Sequence, residues 1–286
     1  MNDRTAKIGL VLGAGSARGL AHIGVMQVLI ENQIPFDFLV GSSMGALVAA
    51  IYACGGDIYM TGKLAAALNT SLFWDVGIPR MGFVSGKRIE HLLRLLTKGK
   101  SFEDLEIPLA VVATDIETGE KIVIQEGPVY TAVRASISIP GIFTPVRYNQ
   151  RLLVDGAVAE RLPVGVARDL GADIVLGVDV TFAEDRQARI RNTLDVILQA
   201  VEILERQIFT QVTRHQATVL IQPRLGNIKS SEFNRAEECI AIGRKCAEAK
   251  LDEIRCVLRS AGSDSARTVS AEEMETDGRR ESPPKV

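Results

Sequence analysis

Residues 38–47 read Phe38-Leu39-Val40-Gly41-Ser42-Ser43-Met44-Gly45-Ala46-Leu47. An apolar, strand-like run stops at a glycine, two serines follow, and an alanine-rich helical pattern begins at Met44 and continues to Ala53. Gly41 to Gly45 matches G-x-S-x-G in the strand–turn–helix setting in which a nucleophilic serine sits on a tight turn. Five residues with three fixed positions are weak evidence alone; the flanking strand and helix make them informative. Gly41 and Gly45 are expected where strand and helix approach too closely for a Cβ. Ser43 then lies at a helix N-terminus, whose free N–H groups favour an alkoxide or oxyanion. The plain alternative is a glycine-flanked turn with a serine N-cap. Ser42, off the motif's centre, is expected only to cap or pack.

Outward from this turn, strand-like and helical runs alternate. Ile8 to Leu12 is followed by glycines and by helical spacing over Leu20 to Ile30. Further apolar runs lie at Leu109 to Thr114, Lys121 to Gln125, Asp173 to Val180 and Ala217 to Gln222. Short links between alternating strands and helices predict a mainly parallel sheet covered on both faces, a three-layer α/β/α class. The whole of 1–260 is expected to form one domain, with the motifs in 7–225 and a C-terminal helix reaching about residue 259. Residues 261–286 are polar and mixed in charge, and they read as a disordered tail. Ile190 to Val212 reads as one long amphipathic helix, with Ile190, Leu194, Ile197, Val201, Leu204 and Ile208 on a stripe. That stripe is expected to face the body or a second subunit, which makes this helix the candidate for oligomer contact.

Composition sets bounds. The chain has 286 residues, 47% hydrophobic and 24% charged, with a formal net charge of −2. Nothing in that balance points to nucleic acid. Met1 to Lys7 is polar, and no stretch approaches the roughly 18 uninterrupted apolar residues of a membrane span. The expected setting is the cytoplasm, with peripheral contact at the inner membrane surface at most. Four scattered cysteines, Cys54, Cys239, Cys246 and Cys256, form no CxxC pair and read as reduced core thiols. No metal or organic cofactor is expected.

A second glycine-rich turn, Gly13-Ala14-Gly15-Ser16-Ala17-Arg18-Gly19, links the first strand to the first helix. Its backbone N–H groups suit an anion. It can serve as an oxyanion hole for Ser43, because parallel strands deliver both turns to one sheet edge. It can also serve as a dinucleotide loop, but G-x-G-x-x-x-G departs from the fingerprint and Asp37 begins the second strand instead of ending it. A purely structural turn is the third reading.

A serine needs a base. His22 follows the glycine loop, His91 sits in a surface-type helical pattern, and His215 ends the long helix. The order Ser43, Asp155, His215 formally matches hydrolase triads, but a triad histidine there follows a strand. Asp155 ends the run Leu152-Leu153-Val154 and precedes Gly156-Ala157, a strand-end position with a simple turn as its alternative. Partial burial raises a carboxylate's basicity from its ordinary value of about 3.9.

Four ordered blocks now stand together: Gly13 to Val25, Gly41 to Gly45, Ala135-Ser136-Ile137-Ser138-Ile139-Pro140-Gly141-Ile142-Phe143 with Pro145, and Asp155-Gly156-Ala157. Over most of residues 7–225 the chain resembles the patatin-like phospholipase family, its small bacterial members in particular. The resemblance implies a three-layer α/β/α fold and a Ser–Asp dyad without histidine, Ser43 as nucleophile and Asp155 as general base. It implies an oxyanion hole at the N–H groups of Gly15, Ser16 and Ala17, and it makes Arg18 the loop arginine at the substrate. The family's G-x-G-x-x-G falls on Ala14 to Gly19, so Ala14 and Ser16 replace two glycines. Side chains there narrow the backbone angles, which bears on rate. The expected substrate is a lipid carboxylic ester, with Phe73, Trp74, Met81 and Phe83 as acyl-chain contacts or a lid. Two other classes stand beside this one: a low-turnover regulatory or interaction protein on the same fold, and a nucleotide-binding protein.

Overall fold

The computed structural model describes residues 6–67, 86–180, 190, 193–208 and 216–261. Phe73, Trp74, Met81, Phe83, His215 and residues 262–286 lie outside the described residues.

Among the described residues eight strands form one sheet: β1 (Ile8–Leu12), β2 (Phe38–Ser42), β3 (Leu109–Asp115), β4 (Lys121–Ile124), β5 (Val146–Tyr148), β6 (Arg151–Asp155), β7 (Ile174–Val178) and β8 (Val219–Ile221). The centre is parallel, with β3-β2-β1-β7-β8 in register. The strands β4, β6 and β5 add an antiparallel corner. The central strands alternate between two cores. Leu10, Leu12, Leu39, Val111 and Leu176 face one. Val11, Phe38, Val40, Ala110, Val112 and Val175 face the other. Burial on both faces is what a parallel, helix-covered sheet requires.

The larger core lies under α1 (Ala21–Glu31), α2 (Met44–Ala53), α5 (Val129–Ser136) and α8 (Ala236–Glu248). The smaller lies under α6 (Val164–Asp169). The chain is therefore a three-layer α/β/α fold. The other α-helices among the described residues are α3 (Ile58–Ala67), α4 (Lys87–Leu96), α7 (Thr193–Ile208) and α9 (251–261). The helix expected over Ile190 to Val212 is described over Thr193–Ile208, and within the single chain Leu204 of its apolar stripe is exposed. The C-terminal helix runs through Ala261, two residues beyond its expected end. Of the cysteines, Cys54 and Cys239 are buried as expected, Cys246 is half-buried, and Cys256 is exposed, because α9 turns it to solvent. Among the described residues no helix is long and apolar enough to cross a membrane.

Strand β3 is the template that brings the two key segments together. Its Val112 is registered with Ser42 at the end of β2, and its next residue, Ala113, with Asp155 at the end of β6. The antiparallel course of β6 carries Asp155 inward from the sheet edge, so it is buried.

Candidate active site

Ser43 follows β2 and precedes α2 with φ 52° and ψ −121°. This is a region that non-glycine residues rarely occupy, and holding one there costs on the order of 1–3 kcal/mol. The crowding is real: a Cβ on Gly45 would stand 2.1 Å from the Leu12 carbonyl oxygen. The turn is held by Ser136 at the end of α5, whose Oγ accepts the Ser43 N–H at 2.8 Å and donates to the Val112 carbonyl at 2.6 Å. The Ser43 hydroxyl does not cap its own helix. It donates to Asp155 Oδ2 at 2.7 Å.

Asp155 Oδ1 accepts the Ala157 N–H at 2.9 Å, so the turn reading and the base reading each account for one oxygen. The strand end is pinned on both sides. The Asp155 N–H donates to the Ser138 carbonyl at 3.0 Å, and the Thr114 hydroxyl donates to the Asp155 carbonyl at 2.9 Å. The next residue must be glycine, since a Cβ on Gly156 would stand 2.2 Å from the Val112 carbonyl oxygen. Burial pushes the Asp155 carboxyl up to about 6, against the lowering effect of its bonds from Ala157 and Ser43. A carboxylate in that range, bonded to a hydroxyl on a helix N-terminus, is suited to take the hydroxyl proton near neutral pH.

Among the described residues no histidine bonds to either group. His22 is fully buried and its Nε2 pairs with the Gly13 carbonyl at 2.7 Å. Desolvation lowers its pKa to about 4, so it is a neutral N–H donor that fixes the glycine loop. His91 is exposed on α4. Ser42 Oγ is buried without a partner among the described residues. Nor do three or more histidine, cysteine, aspartate or glutamate side chains gather as a metal site among those residues.

The glycine loop differs in detail from expectation. Ala17 N–H is spent on the Ser230 carbonyl at 3.1 Å. Ser16 takes φ 49°, and its Oγ donates to the same carbonyl at 2.7 Å. Gly15 and Ser16 keep their N–H groups without an acceptor among the described residues. Arg18 is buried, and its Nη2 pairs with Glu202 of α7 at 3.3 Å. Nearby, Arg161 and Asp179 form a buried ion pair at 3.3 Å, and the Arg161 carbonyl accepts the Ala14 N–H. Ser136, Ser138, Thr114, Ser230 and Glu202 escaped the sequence reading. Only Ser136 and Ser138 carried a signal, as members of the Ala135 to Phe143 block.

The profile of patatin-like phospholipases matches residues 10–168. The chain belongs to the patatin-like phospholipase family. An uncharacterized NTE family protein of Mycobacterium tuberculosis is 36% identical over 185 residues, which are 64% of this chain and 51% of that protein. A patatin-like phospholipase domain-containing protein of Caenorhabditis elegans is 29% identical over 279 residues, 86% of this chain and 21% of that one. The chain thus spans about half the length of the first of these relatives and a fifth of the second. The crystal structure of VipD from Legionella pneumophila superposes with a TM-score of 0.60 at 14% identity, covering 87% of this chain and 67% of that one, so the two chains share a fold.

Proposed function

We propose that this member of the patatin-like phospholipase family is a serine acyl-hydrolase that cleaves carboxylic esters of lipids. The observation that carries the reading is the 2.7 Å hydrogen bond from Ser43 Oγ to a buried Asp155 whose pKa lies near 6. Asp155 takes the Ser43 proton as Oγ attacks the acyl carbonyl. The N–H groups of Gly15 and Ser16, which have no acceptor among the described residues, serve the developing oxyanion. The proton passes to the departing alcohol, and an acyl-serine remains. Asp155 then draws a proton from water as the water oxygen attacks; the fatty acid leaves and Ser43 regains its proton. Access to lipid is peripheral in this reading.

One observation favours a low-turnover protein on the same fold: the Ala17 N–H is already spent on Ser230, so the loop offers two donors where three are implied. A fluorophosphonate probe separates the two readings. The hydrolase reading expects labelling of Ser43, release of fatty acid from a lipid panel, and loss of both in Ser43→Ala. Ser42→Ala retains them, because its hydroxyl has no partner to lose among the described residues. Full ester turnover by folded Ser43→Ala protein would sink the assignment.

A further inference from the structure

Helix α4 gathers its cations on one side. Ile89 and Leu93 are buried and Leu92 and Leu96 are half-buried, so that stripe faces the body. Lys87, Arg88, His91, Arg94 and Leu95 are exposed. At 3.6 residues per turn, Lys87, His91 and Arg94 stack at i, i+4 and i+7, with Arg88 and Leu95 alongside them. Lys98, two residues past the helix, is exposed as well, and its amine donates to the Gly55 carbonyl at 2.6 Å. Glu90 is the one acid between Lys87 and Lys98, against four lysines and arginines, in a chain whose formal net charge is −2.

These charges are not neutralised within the fold. Among the described residues the side chains of Lys87, Arg88 and Arg94 make no hydrogen bond or ion pair. Elsewhere cations near the surface are matched: Arg235 with Glu238 at 2.7 Å, Arg244 with Glu31 at 2.7 Å and Lys250 with Glu253 at 2.6 Å. Like charges kept together at helical spacing repel one another, and an anionic partner relieves that repulsion. The helix is also firmly based. A Cβ on Gly86 would stand 2.2 Å from Arg134 Nη2, and the Arg134 guanidinium donates to Ser138 Oγ at 2.5 Å and to the Thr144 carbonyl at 3.1 Å.

Two exposed leucines favour lipid over other polyanions. Leu95 stands among the cations and is 76% exposed. Leu64 of α3 is exposed too and lines the same apolar gap as Leu96 of α4. A lone exposed leucine is ordinary, but leucine beside unpaired cations suits a boundary of anionic headgroups and acyl chains, whereas a nucleic-acid backbone offers it nothing.

We propose that the exposed face of α4, with Lys87, Arg88, Arg94, Leu95 and Lys98, docks the protein on an anionic lipid surface. The cations meet the headgroup phosphates and Leu95 enters the boundary beneath them. Docking stands on charge and exposure, apart from the hydrolase reading. Only its link to turnover rests on that reading, which it deepens by naming the face that meets the lipid.

The test is cosedimentation of the full chain with sucrose-loaded vesicles, either of phosphatidylcholine alone or of phosphatidylcholine mixed equally with phosphatidylglycerol. Each Lys or Arg near an anionic surface changes partitioning about fivefold. Wild type is expected to bind the mixed vesicles at least tenfold more tightly than the neutral ones and to leave them as salt rises. Arg88→Gln with Arg94→Gln is expected to weaken that binding at least tenfold, and Lys87→Gln, a milder variant, about fivefold. Arg88→Lys with Arg94→Lys keeps the charge and retains binding within about twofold. Lys245→Gln with Arg259→Gln removes the same charge from α8 and α9 and costs less than about threefold. Circular dichroism checks that each variant is folded. Equal loss in the two glutamine pairs, or equal affinity for the two vesicle types, overturns the proposal. So does a single-stranded oligonucleotide that binds more tightly than the mixed vesicles and is lost in Arg88→Gln with Arg94→Gln, because the face then serves nucleic acid. Wild type that binds mixed vesicles but cleaves no ester upholds the docking face and defeats only the hydrolase reading. Wild type that cleaves soluble esters but binds neither vesicle defeats only the docking face, and failure of both defeats the two together.

Discussion

The backbone N–H of Ser43 donates to the hydroxyl oxygen of Ser136, 93 positions further along the chain, at 2.8 Å. The hydroxyl proton of Ser136 is committed to the Val112 carbonyl, so this oxygen can only accept. It ties the strained elbow to β3. Ser136→Ala leaves a buried N–H and a buried carbonyl unpaired, and about 2–3 kcal/mol of stability is expected to go. Urea unfolding measures that loss. Steady-state kinetics should show the damage in kcat more than in KM, because the elbow's geometry is what slackens. Wild-type stability in the variant would show that water replaces the bond without loss.

Asp155 and His22 respond to acid in opposite senses. The folded Asp155 carboxyl titrates near 6 against an ordinary 3.8. The native state therefore holds the extra proton between those values, and stability falls as pH rises through the window. Above pH 6 the burial penalty is full, on the order of 3 kcal/mol. Asp155→Asn should thus be dead as an esterase yet more stable than wild type at pH 7, with the advantage vanishing near pH 4. The wild-type kcat/KM should fall about tenfold per pH unit below 6, as the base is protonated. Chemical denaturation at several pH values and a pH–rate profile check the two halves separately.

For His22 the folded pKa is depressed to about 4 from 6.5. The unfolded chain binds the proton first, so the stability present above pH 6.5 is lost as pH falls through 4. Over much of pH 4 to 6 this offsets the Asp155 contribution. His22→Gln keeps a donor for the Gly13 carbonyl without the titration. Its stability relative to wild type is expected to improve as pH drops from 6.5 to 4, by up to about 3 kcal/mol. A pH-independent difference between the two proteins would show that His22 is not titrating in this range.

Ser16 is held at φ 49° by the bond from its Oγ to Ser230. Ser16→Ala keeps the backbone cost and loses the tie, whereas Ser16→Gly loses both. Ser16→Ala is therefore expected to be the less stable of the two, by about 1 kcal/mol. If the Ser16 N–H serves the oxyanion, both variants lower kcat at nearly constant KM, and Ser16→Thr restores part of it. Equal effects on kcat and KM in Ser16→Ala would assign the residue a structural role alone.

Much of the architecture is written in short-range pattern. The apolar runs at Ile8 to Leu12, Leu109 to Thr114 and Asp173 to Val180 are strands, and Met44 to Ala53 is the helix its alanines suggest. Alternation of burial between the two cores needs only the two-residue period of a strand. The G-x-S-x-G elbow is legible because its glycines answer contacts made within a few residues or with the adjacent strand. The positions of Ser43 and Asp155 are local motifs of this kind. The antiparallel corner is harder to read: β5 has three residues and β6 five, which gives little periodicity to detect.

What brings Ser43 to Asp155 is not local. The two are 112 positions apart and meet because consecutive residues of β3, Val112 and Ala113, are registered with different strands. The same holds for Ser136 against Ser43, Ser230 against Ser16 and Glu202 against Arg18, none of which shares a helix or hairpin with its partner. The sequence alone determined the element types, the layered class and the turns that carry Ser43 and Asp155, since propensity, periodicity and close approach are properties of neighbouring residues. Only the tertiary structure decided which N–H groups of the glycine loop lack an acceptor among the described residues and how far Asp155 is pushed toward neutrality. Those depend on which distant polar atom takes each donor and on how much water the packed layers exclude.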